Sequence, residues 1–243
     1  AIQPYIPQEQ KWDPAYYQMI TRRLRALTLE AAGSKPAMVV WPETSVPGEL
    51  RNESQVKTFV QNLAKEAGVP LLVGTQDSTG NPPIYYNGAT LVDPDKGILT
   101  MHHKLHLVPY GEFLPGARWI PFFRWFIPIA EDFSPGKEQT IFSLRGPTLR
   151  WQEPGGAMRS EIRMIRFGVV ICFEDAFSEL FRSYCEHNQL DFMVNMTNDA
   201  WFRNSGASIQ HANLAVFRAV ENRMPLLRAT NTGYTCLIDP YGR

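Results

Sequence analysis

Cysteine is scarce in this chain, and long apolar runs are missing. The three cysteines, Cys172, Cys185 and Cys236, are an odd number with no CxxC spacing, which argues against a disulfide framework and against a zinc knuckle. At least one thiol stays free. No uncharged apolar stretch approaches the ~18 residues that a membrane-spanning helix needs, and the first residues shown carry no signal-peptide pattern. Net charge is also missing: Lys plus Arg and Asp plus Glu number 24 each, so no global field recruits nucleic acid. Internal repeats, low-complexity tracts and Gly-, Ser- or Pro-rich linkers are absent too, so a single domain over residues 1–243 is expected. Both ends look cut: "AIQPYIP" resembles the tail of a first strand, and "DPYGR" a turn that should lead into a partner strand.

What is present is an ordinary globular composition, 44% apolar and 20% charged. Asp13 and Pro14 form an N-cap and first-turn pair, and Ile20, Leu24, Leu27 and Ala31 recur at helical spacing until Gly33. "AMVVW" predicts a buried strand. Val56, Phe59, Val60, Leu63 and Ala67 predict a helix closed by Gly68, and "VPLLVGT" another strand. Two strands flank the turn cluster "DPDKG" over 84–103. "IRMIRF" and "GVVIC" follow as strands, then a helix near 177–187, the strand "DFMVNM", a helix near 208–223, and the strands "LLRAT" and "YTCLIDP". The class is α/β.

Three residues in this pattern carry chemistry together. Glu43 follows "VVWP", Lys104 follows the second hairpin strand in "HHKLHLVPYGEF", and Cys172 ends "GVVIC". Side chains at the carboxyl ends of strands converge on the crevice of an α/β sheet, so these three can meet although distant in sequence. A carboxylate takes a thiol's proton, and an ammonium favours the thiolate and the negative charge that develops on an attacked carbonyl. The plain alternatives are an inert buried cysteine, a capping or surface acid and a surface cation. His102, His103 and His106 look like a metal cluster, but adjacent strand residues point to opposite faces, so a structural or edge role is expected and no metal or cofactor. His211 is a conceivable partner for Cys172 in a Cys-His pair, with packing or substrate contact the favoured role.

The blocks "WPETSVP", "KLHLVPYGEF", "GVVICFEDAF", "TNDAWF" and "RAVENRMPLLRATNTGY" resemble, in order, those of the nitrilase or carbon–nitrogen hydrolase superfamily. The tryptophan of "WPE", "LVPYGEF" and "NDAWF" resemble its branch of lipoprotein acyltransferases. The resemblance implies a nitrilase-like αββα four-layer sandwich at the periplasmic side of the bacterial inner membrane, lacking here the membrane helices of the branch. It implies acyl transfer from a phospholipid donor, through a cysteine thioester, to the N-terminal diacylglyceryl cysteine of a lipoprotein. It makes Glu43 the general base, Lys104 the stabiliser of oxyanion and thiolate, Cys172 the acylated nucleophile, and Glu112 and Glu174 auxiliary acids. Trp201, Phe173, Trp119 and Phe122 are the expected substrate contacts; Phe173 stands where relatives often carry tyrosine, and Arg203 where glycine is common. The aromatic stretch 118–133 is expected to be a lid or arm resting on the bilayer. The competing readings are a soluble hydrolase of small amides with the same three residues, and an inactive module that binds a lipidated partner.

Overall fold

The computed structural model describes residues 1–115, 132–152, 158–202 and 205–243. A short helix α1 (Gln8–Lys11) and a 3-10 turn (Pro14–Tyr16) lead into α2 (Tyr17–Ala32). Asp13 caps that turn by accepting from the Ala15 N–H at 2.9 Å. Strand β1 (Val39–Val40), helix α3 (Ser54–Ala67) and strands β2 (Leu71–Thr79), β3 (Ile84–Asp93) and β4 (Gly97–His103) follow. Then come β5 (Ile141–Gln152), β6 (Met158–Ile171), α4 (Ser178–His187), β7 (Phe192–Thr197), α5 (Ala207–Asn222), β8 (Leu226–Thr230) and β9 (Cys236–Ile238).

The strands form two sheets, ordered β1-β2-β3-β4 and β5-β6-β7-β8-β9. In the first, β1 runs parallel to β2, and β2, β3 and β4 form an antiparallel meander. In the second, β6, β7 and β8 are parallel, with antiparallel β5 and β9 at the edges. Alternate residues explain the layering, because successive side chains point to opposite faces of a sheet. Val40, Leu72, Ala89 and Leu91 of the first sheet meet Phe167, Val169, Ile171, Val194, Met196 and Ala229 of the second in a shared core. Val39, Trp41, Leu71 and Val73 face the other way, onto Ile20 and Leu24 of α2 and Val56, Val60 and Leu63 of α3. Val170, Met193 and Leu226 pack on Leu180, Phe181 and Tyr184 of α4 and Ala215 and Ala219 of α5. Helix, sheet, sheet, helix is the four-layer order expected. Strands buried on both faces read as unbroken apolar runs, which is why "VVW" and "GVVIC" were legible.

Three local readings change. "IRMIRF" and "GVVIC" are one continuous strand, β6, whose outer half carries exposed Met158, Ile162 and Met164. Its partner β5 has no counterpart in the sequence reading, because Gly146–Pro147 interrupts the run; the register shift between Arg145 and Thr148 shows a bulge there. Residues 1–7 form no strand, although the Ile2 N–H donates to the Val40 carbonyl at 2.9 Å; "DPYGR", by contrast, is the turn expected, with the Gly242 N–H donating to the Asp239 carbonyl at 3.0 Å.

Candidate active site

Glu43, Lys104 and Cys172 each lie one to three residues beyond the end of a strand, β1, β4 and β6 respectively. Because the two sheets face each other, the charged groups at these ends come within interaction distance of one another.

Glu43 sits in a tight turn after "VVWP". Trp41 is fully buried and donates its indole N–H to Thr28 of α2 at 3.0 Å, which ties this segment to the helix layer. Gly74 of β2 backs the turn so closely that a Cβ there would lie 2.2 Å from the Pro42 carbonyl oxygen and 2.8 Å from the Glu43 Cα. Thr44 has φ of 40°, a left-handed backbone that β-branched residues rarely adopt. The Glu43 Oε1 accepts from Asn87 Nδ2 at 2.8 Å and lies 3.6 Å from Lys104 Nζ.

Lys104 is buried, and its ammonium donates to Glu112 at 2.8 Å. Burial works against its charge, but Glu43, Cys172 and Glu112 outweigh that and hold its pKa above the usual lysine value. Glu112 is presented by the "VPYGEF" loop, where Tyr110 takes a φ of 63°. Its Oε1 also accepts from Asn87 Nδ2, and its Oε2 from the Val108 N–H, both at 2.8 Å. One amide group thus bridges both carboxylates.

Cys172 has φ of 53°, a strained elbow at the turn from β6 into a 3-10 segment (Cys172–Ala176). Strain of this kind turns a nucleophile out of the strand direction. Burial pushes its thiol up to about 12; Glu43 adds to that rise, while Lys104 and a hydrogen bond from Thr197 oppose it. The resting thiol is therefore protonated at neutral pH, and Lys104 by itself does not generate the thiolate.

Glu174 is held differently from the other acids. Its Oε1 accepts from the N–H groups of Leu105 and His106, at 2.7 and 2.8 Å, and its Oε2 from the N–H of Ile171 at 2.7 Å. It pins the residues just after Lys104 to the strand just before Cys172. Burial raises its pKa to about 7, against the pull of Lys104 and these three donors.

Beneath the elbow lies a second buried cluster. Arg228 donates to Asp175 at 2.9 Å, to Asn195 at 3.1 Å and to Asp199 at 3.4 Å. His211 sits 2.7 Å from Asp199 and 3.2 Å from Asp175, so both ring nitrogens face carboxylates and neither serves Cys172. Asn195 Nδ2 reaches the Cys172 carbonyl at 3.2 Å, which links this cluster to the elbow. Gly233 explains the "NTG" wording: at φ of 98°, any Cβ would stand 2.3 Å from Asp199. Of the other histidines, His103 pairs with Asp77 at 2.7 Å and stacks on Tyr86, and His106 stacks on Phe177. His102 is buried and held near 3, neutral. Among the described residues no group of acids, histidines and cysteines is arranged to hold a metal ion.

Phe173, Phe177 and Trp201 are exposed, Trp201 at 68%. Phe173 and Phe177 meet edge to face beside the elbow, their centroids 6.1 Å apart. Trp119, Phe122 and Arg203, with most of the proposed aromatic arm, lie outside the described residues. Asn87, Thr197 and Lys11 belong to the site and went unread in the sequence. The first two are buried polar residues of strands β3 and β7, a signal that was available; Lys11 offered none.

Glu43, Glu112, a paired Lys104 and an elbow cysteine meet at the strand ends of two facing sheets in a nitrilase-like fold. The chain belongs to the carbon–nitrogen hydrolase family, whose model matches residues 8–243. It is 36% identical over 99% of its length to the apolipoprotein N-acyltransferase of Geobacter metallireducens, and 32% identical over all of its length to that of Brucella melitensis. It spans only 43% of the length of each of those relatives. A cysteine-to-alanine mutant of the Nesterenkonia AN1 amidase from the nitrilase superfamily superposes with a TM-score of 0.64 at 17% identity, covering 96% of this chain and 79% of that one. Nit3 of Saccharomyces cerevisiae gives 0.61 at 19% identity, covering 93% and 78%. No helix among the described residues is long and apolar enough to cross a membrane.

Proposed function

We propose that this domain catalyses N-acylation of lipoproteins, with a phospholipid as acyl donor and the N-terminal amine of a diacylglyceryl cysteine as acceptor. The observation that carries the reading is the assembly of Glu43, Lys104 and Glu112 around the Cys172 elbow, in a chain whose relatives over nearly its whole length are named for that activity.

In the first step the Cys172 proton passes to Glu43 as the sulfur attacks the ester carbonyl of the phospholipid. The developing oxyanion is held by the Lys104 ammonium and the main-chain N–H after the nucleophile. The C–O bond breaks, and the lysophospholipid oxygen leaves with the proton from Glu43. In the second step the lipoprotein amine attacks the thioester, Glu43 takes the amine's proton, the C–S bond breaks, and Glu43 passes that proton to the departing sulfur to restore the thiol. A resting thiol at about 12 makes the base indispensable, since proton transfer has to accompany attack. Glu112 fixes Lys104, and Asn87 aligns Glu112 with Glu43. The exposed Phe173, Phe177 and Trp201 offer an apolar approach suited to acyl chains, which supports work at a membrane face; the periplasmic side of the inner membrane is part of the same proposal, by resemblance to the acyltransferase relatives.

The test is intact mass of the full-length protein after incubation with phospholipid. An acyl-sized adduct that disappears in Cys172→Ala is expected. Adducts from small amides but none from phospholipid would instead make the domain a carbon–nitrogen hydrolase that uses water in the second step.

A further inference from the structure

A second lysine lies inside this site. Lys11, the last residue of α1, is 3% exposed, and its ammonium donates to the Glu43 carbonyl oxygen at 3.1 Å and to the Thr44 hydroxyl at 2.6 Å. Both acceptors belong to the turn that presents the base. A buried ammonium needs compensation for the water it has lost, and here the compensation comes from the two residues whose placement decides where the Glu43 carboxylate points. Gly74 presses on that turn from β2 and Lys11 grips it from α1, which is how Thr44 is held at a φ of 40°.

We infer that Lys11 is a positioning residue of this reaction centre, a second lysine that clamps the main chain carrying Glu43 and adds a second cation beside Glu43. The inference rests on Cys172 being the acylated nucleophile, and holds whether an amine or water resolves the thioester. The titratable groups facing Lys11 are Glu43, from the turn after β1, and Cys172, from the elbow after β6; Glu9 and Asp13 flank it on its own segment, and Lys104 and Glu112 complete the cluster around Glu43.

The two roles separate with pH. Burial lowers Lys11 to about 8, although Glu43 and Cys172 pull it upward. Above that pH the neutral amine keeps two N–H donors, enough for the Glu43 carbonyl and the Thr44 hydroxyl, so the clamp persists while the charge is lost. A charge role therefore gives Cys172 acylation an alkaline limb near pH 8, whereas a clamp alone gives none.

The experiment is the p-nitrophenolate burst from p-nitrophenyl butyrate across pH, with the full-length protein and with Cys172→Ala, Lys11→Met and Lys11→Arg. In the burst the C–S bond forms, the ester C–O bond breaks, p-nitrophenolate leaves and the thiol proton goes to Glu43. Lys11→Met is expected to lower the burst constant about tenfold, the size of one pKa unit, with little change in half-saturation and without the alkaline limb. Lys11→Arg, which keeps its charge, is expected to retain most of the rate and also lose the limb. No Cys172-dependent burst in the wild type would remove the nucleophile reading itself. A wild-type burst with Lys11→Met unchanged would overturn the role of Lys11. If Lys11→Met does not fold, a limb near pH 8 that persists in Lys11→Arg overturns it instead.

Discussion

Replacing Gly74 by alanine tests whether the base is aimed by backbone contact across the sheet. The added Cβ would lie 2.2 Å from the Pro42 carbonyl oxygen and 2.8 Å from both the Glu43 Cα and the Thr44 nitrogen. Ordinary contact begins near 3.4 Å, so the 42–44 turn has to retreat by about 1.2 Å, and the three nearest atoms are all main chain with no flexible end to give way. Two costs follow. Overpacking of this kind destabilises by about 1–3 kcal/mol. Moving a catalytic carboxylate by about 1 Å costs about a hundredfold in rate. Gly168→Ala is the control for destabilisation alone: its Cβ would press on the Met193 sulfur and the Tyr184 ring at 2.7 Å, on the opposite side of the second sheet from Glu43. Melting temperature and the single-turnover acylation constant, measured on folded protein, separate the two effects. Gly74→Ala is expected to lose both and Gly168→Ala only the first. A folded Gly74→Ala that acylates at the wild-type rate would refute the idea that this turn aims Glu43.

Two further outcomes follow from the charges. Glu43 is one of the groups that push the Cys172 thiol up to about 12, so Glu43→Gln should lower that pKa while slowing acylation by about a hundredfold or more for want of the base; thiolate absorbance against Cys172→Ala, compared with burst rates, reads both, and a variant in which neither changes, or in which thiolate and burst rate rise together, contradicts the assignment. His211 is raised from 6.5 to about 9, because Asp175 and Asp199 outweigh burial and the opposing Arg228. Its contribution to stability is fully present below pH 6.5 and is lost as pH rises through about 9. Urea midpoints of the wild type should fall across that window, and those of His211→Asn should start lower and change less; parallel pH profiles would show that the pairing adds nothing.

Much of this was readable in the chain before any coordinates. Buried strands announced themselves as apolar runs, and α2 and α3 as helical periodicity ending at Gly33 and Gly68, because those patterns are local consequences of burial on one face or two. The β5 strand was not readable, since Gly146–Pro147 signals a turn locally and only the pairing with β6 converts it to a bulge. Among the acids, Glu112 and Glu174 look alike in sequence. Only the fold assigns one to the Lys104 ammonium and the other to three main-chain N–H groups.

By itself, the amino-acid order determined which residue types stand at which strand ends: an acid after β1, a lysine after β4 and a thiol after β6, in an α/β chain without net charge. Tertiary structure alone decided what those groups experience. Whether the thiol rests protonated, whether Asn87 joins two carboxylates, and whether Lys11, 32 residues before Glu43, holds that turn all depend on distances of a few ångströms across two facing sheets. Charge interactions and burial fall off through space and are indifferent to separation along the chain, so no local pattern can encode them.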